Sequence, residues 1–230
     1  MNSRELIEMS LCNITEGTLF EASHVYDLLA DDMTEVAFYK NLERFCQKGV
    51  LVHLARGLYY KPKKSRFGNV PIGEQDIIYH YIKNHSGLVV GYRLYNKKGL
   101  TTQISKQTEV FSNCVSGQRK TVRNVLIKNI SCDLNMEREA VIETLEILQN
   151  YYNIEDINKK ALIAYMERFA QSYSDKATVY VLEHMKYQKS TIAFLESFLN
   201  YLHVENTLDR FLSSMSVYAK PTMEEIYEIA

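Results

Sequence analysis

A chain of 230 residues, 46% hydrophobic and 24% charged, holds enough apolar material for one large core or two small ones, which excludes a disordered or low-complexity protein. The net charge of −1 hides a segregation: residues 36–128 carry 17 Lys+Arg against four acids, whereas residues 129–230 carry 9 against 16. The two stretches are therefore expected to meet different partners, the basic one a polyanion.

No apolar run approaches the ~20 residues that a bilayer span requires, so no membrane partner is expected. Cys12, Cys46, Cys114 and Cys132 have no CxxC spacing and no signal-peptide pattern opens the chain, which points to the reducing cytoplasm.

Residues 3–11 (SRELIEMSL) have a helix-starting serine and acids in the first turn, with Leu6, Ile7 and Met9 or Ser10 on the buried side. Residues 16–20 form a turn and a short apolar segment that could add a strand beside a later hairpin, with Phe20 in the core. Ser23 precedes the periodic residues Val25, Leu28 and Leu29, a positioning helix, and residues 31–33 make a short turn. In residues 34–48, Thr34, Phe38, Leu42 and Phe45 recur at intervals of four, four and three, with Lys40, Arg44 and Gln47 turned away from that stripe. Gly49 ends this helix as the residue after its C-cap.

Residues 50–54 and 58–61 read as two short strands around Ala55, Arg56 and Gly57, with Arg56 at the hairpin tip and Pro62 closing the second strand. Residues 36–66 carry eight Lys+Arg (Lys40, Arg44, Lys48, Arg56, Lys61, Lys63, Lys64 and Arg66) against the single acid Glu43, a net +7 that suits a polyphosphate. Helix, turn, helix and basic hairpin is the winged-helix order. Thr34, Tyr39, Lys40, Arg44, Arg56, Lys61, Lys63, Lys64 and Arg66 are the candidate DNA-binding residues. Tyr39, Tyr59 and Tyr60 could hydrogen-bond phosphates or serve as core.

Residues 65–73 (SRFGNVPIG) are the strongest linker signal and place a boundary. A helix follows at 74–84, a short strand at 89–90, a short helix at 92–97, and β-like runs at 109–112 and 124–130 enclosing a basic loop, 113–123. From Asn135 the pattern turns helical: 136–152, 157–173, 177–187, 191–203 and 207–215. Thr222 and Glu225 spell a capping box for a last acidic helix. The expected class is α+β, mostly α: an N-terminal winged helix-turn-helix in residues 1–68, a small basic α/β middle segment in 69–131 and a helical domain in 132–230.

Catalytic chemistry is not legible. The six histidines have no metal-site spacing, the Gly117–Thr121 stretch lacks the second glycine of a phosphate loop, and no nucleophile stands beside a base. No metal, cofactor or catalytic residue is expected, and the chain does not read as an enzyme.

The elements LERF, QKG and ARGLYYKPK, with SRFG after them and GLTTQ later, resemble the AbiEi-like antitoxins and transcriptional regulators of type IV toxin–antitoxin systems, over residues 18–130. That resemblance implies a winged helix on the operon's own promoter, with residues 34–48 as recognition helix and 50–62 as wing, and Arg56-Gly57-Leu58-Tyr59 as its most specific match. It also implies a partner toxin of nucleotidyltransferase type. Three readings stay open: a DNA-binding antitoxin that represses its own operon; a stand-alone repressor whose helical domain dimerises or binds an effector; and a nucleic-acid-modifying enzyme with a DNA-binding head. The helical part is a candidate for homodimer contacts, and a fragment ending near Ser131 is expected to keep DNA binding.

Overall fold

The computed structural model describes residues 3–227. Helix outweighs strand, 48% against 15%, so the class is α+β and mostly α. The chain divides into two compact units, the described part of Met1–His80 with Thr121–Val125, and the described part of Tyr81–Lys120 with Leu126–Ala230. Among the described residues no helix is long and apolar enough to cross a membrane.

The first unit opens with α1 (Ser3–Cys12), β1 (Thr18–Glu21), α2 (Ala22–Asp27), α3 (Glu35–Gln47), β2 (Val52–Ala55) and β3 (Leu58–Lys61). The strands form one antiparallel sheet in the order β1-β3-β2, so the segment after α1 does add a strand to the hairpin. Its core joins Ile7 and Leu11 of α1, Val25 and Leu29, the α3 residues Phe38, Leu42 and Phe45, and Tyr59 of β3. Full burial of such side chains is worth about 1.5–3 kcal/mol each, which is why the three-and-four spacing dictates the helix and its orientation together.

Three local expectations for this unit change. Met9 is exposed and Leu11 takes the inner position, because α1 runs to Cys12 and its apolar face advances by four residues. Leu28 is also exposed, since α2 stops at Asp27. Ser23 is not the cap of α2: Glu21 holds that position in extended conformation with no side-chain cap bond. The side chain of Ser3 lies outside the described part.

The expected linker is instead a second hairpin, β4 (Lys64–Ser65) with β5 (Gly68–Asn69), paired Lys64 to Asn69 and Ser65 to Gly68. The helix α4 (Glu74–Ile82) follows, and the division between units falls within it, at His80, rather than in residues 65–73. Glycine, proline and serine in that stretch mark tight turns and not a free tether.

The second unit contains β6 (Gly87–Val90), α5 (Tyr92–Lys97), β7 (Thr108–Ser112) and the β8 (Arg119–Val122) to β9 (Val125–Asn129) hairpin, of which Thr121–Val125 groups with the first unit. The sheet order is β6-β7-β9-β8. The loop expected at 113–123 thus holds a strand: Arg119 to Val122 (RKTV) is polar at its first three positions and shows no alternation to read, and its ladder partner supplies what pattern does not.

The helix α6 (Met136–Gln149) packs against β6, and α7 (Lys159–Gln171), α8 (Asp175–His184) and α9 (Lys189–Tyr201) pack against α6, so that Leu88, Val90 and Phe111 share one core with Val141, Ile142, Leu145, Leu195 and Phe198. The expected middle segment from Tyr81 on, apart from Thr121–Val125, and the helical domain are therefore one unit, because the apolar sheet face needs a cover and the helices supply it. Residues 207–215 hold only a short 3-10 turn, Leu208–Phe211. The capping box is formed: Thr222 Oγ1 accepts from Glu225 N at 3.2 Å and Glu225 Oε2 from Thr222 N at 2.9 Å, opening α10 (Met223–Tyr227). Residues 228–230 of that expected helix lie outside the described part.

Candidate nucleic-acid interface

α3 is the element on which the candidate interface depends. Thr34 caps it in extended conformation, its hydroxyl accepting from Ala37 N at 3.4 Å. Gly49, at φ +68°, ends it where a side chain would be strained. Phe38 is wholly buried, its ring 5.4 Å from those of Tyr26 and Tyr39, and Leu42 and Phe45 continue inward. The opposite face repeats at four, three and four residues through Val36, Lys40, Glu43 and Gln47, all exposed, with Arg44 and Lys48 exposed on one flank. Six polar or apolar side chains thus stand free on one helix at groove-reading length.

Tyr39 lies on the other flank, half-buried, and burial raises its hydroxyl pKa, with Glu35 and Glu21 adding to the rise and Arg56 opposing it. The hairpin tip is therefore near this flank. β2 and β3 join through Arg56 and Gly57 alone, Gly57 at φ +72°, with an irregular register between His53 and Ala55. Ala55 belongs to the strand rather than to the turn, so the wing is short, and Arg56 stands exposed at its tip. The carboxylate of Glu21 lies beside Gly57, so this end of the unit carries acid as well as base.

The remaining candidates separate. Lys61 does not face outward: its ammonium donates to the carbonyls of Leu11 at 2.8 Å and Ile14 at 2.7 Å, closing the C-terminal end of α1. A cation there satisfies carbonyls that the helix leaves open and offsets the negative end of its dipole, so Lys61 is structural. Lys63, Lys64 and Arg66 are exposed, and Lys63 lays its methylenes across Gly17. Arg66 sits at the tip of the β4–β5 hairpin with its guanidinium 4.7 Å from the ring centre of Phe67, itself 86% exposed. Ser65 Oγ accepts from Phe67 N at 3.2 Å and donates to Gly68 O at 2.9 Å, which stiffens the turn. Asn69 donates to Gly49 O at 2.8 Å and so fixes this hairpin to the end of α3, one residue beyond Lys48. Since Lys64 pairs with Asn69, Lys48, Lys64 and Arg66 form one basic neighbourhood.

Tyr59 and Tyr60 are buried, Tyr60 donating to Val70 O at 3.1 Å, which resolves them as core. Val36 and Phe67 join the surface without having been singled out, as do Gln47 and Lys48, which were read as outward or basic but not as candidate DNA-binding residues. The outward repeat of Val36, Lys40, Glu43 and Gln47 was a readable signal for two of them, whereas Phe67 was masked by its turn-rich setting. Among the described residues no group of three or more His, Cys, Asp or Glu could hold a metal ion, and the four cysteines are free.

No family model and no curated protein matches the chain. The chain is similar to a solved structure, that of the RV2827C protein from Mycobacterium tuberculosis, at 10% identity and a TM-score of 0.40, over 86% of this chain and 75% of that one. A likeness of that degree carries no argument about fold or function.

Proposed function

We propose that this is a cytoplasmic DNA-binding protein that represses its own promoter, with the first unit acting as a winged helix-turn-helix module and α3 entering the major groove. The carrying observation is the outward face of α3: Lys40, Arg44 and Lys48 for phosphate and base edges, Gln47 for an adenine edge and exposed Val36 for a thymine methyl. The element order α1-β1-α2-α3-β2-β3 supports the reading, as does the hairpin anchored by Asn69, which extends the basic face through Lys64 and Arg66. The resemblance of residues 18–130 to AbiEi-like antitoxins extends it: the chain counters a nucleotidyltransferase toxin, its functional partner.

Fluorescence anisotropy of the full chain on its own upstream DNA, at two salt concentrations, tests the first part. Nanomolar-range specific binding is expected to weaken steeply with salt, in proportion to the phosphates neutralised. Equal affinity for upstream and scrambled DNA would overturn promoter recognition. Rescue of growth on co-expression with a nucleotidyltransferase encoded by a neighbouring gene tests the second part.

A further inference from the structure

The second unit holds a partly open cavity of about 380 Å³ that DNA binding does not use. Tyr92, Tyr95, Tyr187 and Phe111 give it aromatic walls. Most of its polar groups are already committed. Lys128 Nζ lies 2.5 Å from Glu109 Oε2, so that cation and that acid answer each other. Tyr95 and Asn150 donate to the main-chain carbonyl of Glu146 at 3.3 and 2.9 Å, and Tyr92 donates to Asn153 O at 3.0 Å.

Gln149 Oε1 accepts from Gln188 N at 3.2 Å, and Lys186 is exposed. The Glu146 carboxyl and the neighbouring Tyr187 hydroxyl remain. Tyr187 Oη is buried and makes no hydrogen bond of good geometry among the described residues, although Glu146 is close enough to act on it. Burial raises the Glu146 carboxyl pKa, with Glu109 adding to the rise and Tyr187 and Lys128 opposing it. A buried carboxyl without its own counter-ion either keeps a proton or takes a cation bearing N–H donors, because an unpaired charge away from water is costly. Aromatic faces around it favour the cation.

We propose that this cavity binds a small organic cation, whose ammonium or guanidinium group lies between the tyrosine rings against the Glu146 carboxylate and the Tyr187 hydroxyl. The volume sits at the lower end of small-ligand sites, about 300–1,000 Å³. This site belongs wholly to the second unit, so it stands whether or not the first unit binds DNA.

Isothermal titration calorimetry of the full chain with agmatine, which carries both head groups, tests it. Saturable binding with a Kd of about 1 mM or tighter is expected, against no saturable heat from the neutral probe butylurea. E146Q keeps the shape and removes the charge, and is expected to weaken agmatine binding about tenfold or more; Y187F weakens it by a smaller factor. Unchanged far-UV circular dichroism would separate this loss from misfolding. No saturable heat from wild type at on the order of 10 mM agmatine, equal binding of butylurea, or equal affinity in wild type and E146Q would each overturn the assignment.

Discussion

Lys61 and Lys64 stand three residues apart in one basic run, and their surroundings assign them opposite work. Lys61 holds two main-chain carbonyls at the end of α1, whereas Lys64 is exposed beside the end of α3. Replacing Lys61 by methionine should cost about 1–3 kcal/mol of stability, since both carbonyls lose their donor, and urea denaturation would measure it. The folded fraction should bind DNA with an unchanged salt slope. Lys40→Ala and Arg44→Ala are expected to act the other way, with normal stability and weaker operator binding. An arginine on a base edge is worth about 1–3 kcal/mol, and a lysine on phosphate lowers the salt slope by about one. Wild-type affinity in both variants would remove α3 from the interface.

Glu146 carries a pH signature at the same scale. Its carboxyl is raised in the fold chiefly by burial, so folding favours the protonated form. The stabilising contribution is present below the unfolded value of about 4.3 and is lost as pH rises through the higher folded value. E146Q is therefore expected to melt higher than wild type at neutral pH, with the gap closing toward about pH 4, as followed by thermal denaturation across pH. A gap that widens on acidification would contradict burial as the chief influence on that carboxyl.

The elements explain how cationic residues far apart in sequence share a surface. α3 is fixed at both ends, by the Thr34 cap and by Gly49, so its outward residues keep one orientation. The cap alone contributes about 1 kcal/mol. Two hairpins flank the helix, each with a two-residue turn, one presenting Arg56 and the other Arg66 with Phe67. Short turns carry little conformational entropy to lose, which suits them to holding a charge or a ring in place. Replacing Arg66 and Phe67 together by alanine should weaken operator binding through both a lost phosphate contact and a lost apolar contact in the groove. Replacing Arg66 alone should change only the salt-dependent part, and anisotropy at several salt concentrations separates the two. Identical slopes and affinities in all three proteins would turn the β4–β5 hairpin away from DNA.

For the whole molecule, the decisive fact is that the sheet of the second unit and the helices after Asn135 share one core. A chain truncated after Ser131 deprives Leu88, Val90 and Phe111 of the helical side chains that share their core. It is expected to aggregate or to bind a hydrophobic dye such as ANS, contrary to the sequence-based expectation that such a fragment keeps DNA binding. Sharp, dispersed amide signals and operator binding by that fragment would show the first unit to be indifferent to the loss.

Local pattern was sufficient wherever one element carries its own signal. α3 with its terminal glycine, the β2–β3 hairpin and the Thr222–Glu225 box were legible, because periodicity, capping and turn chemistry act within about four residues, although Thr34, expected on the apolar stripe, is the exposed cap of α3. Tertiary structure alone decided the rest. The carbonyl partners of Lys61 lie some fifty residues away in sequence, and β8 owes its strand to the neighbour that pairs with it. The Glu146–Tyr187 cavity joins residues of two helices, two strands and the segment after α8. Composition separates acid from base along the chain, but whether a given charge meets a carbonyl, a carboxylate or solvent depends on long-range packing, which no sequence window contains.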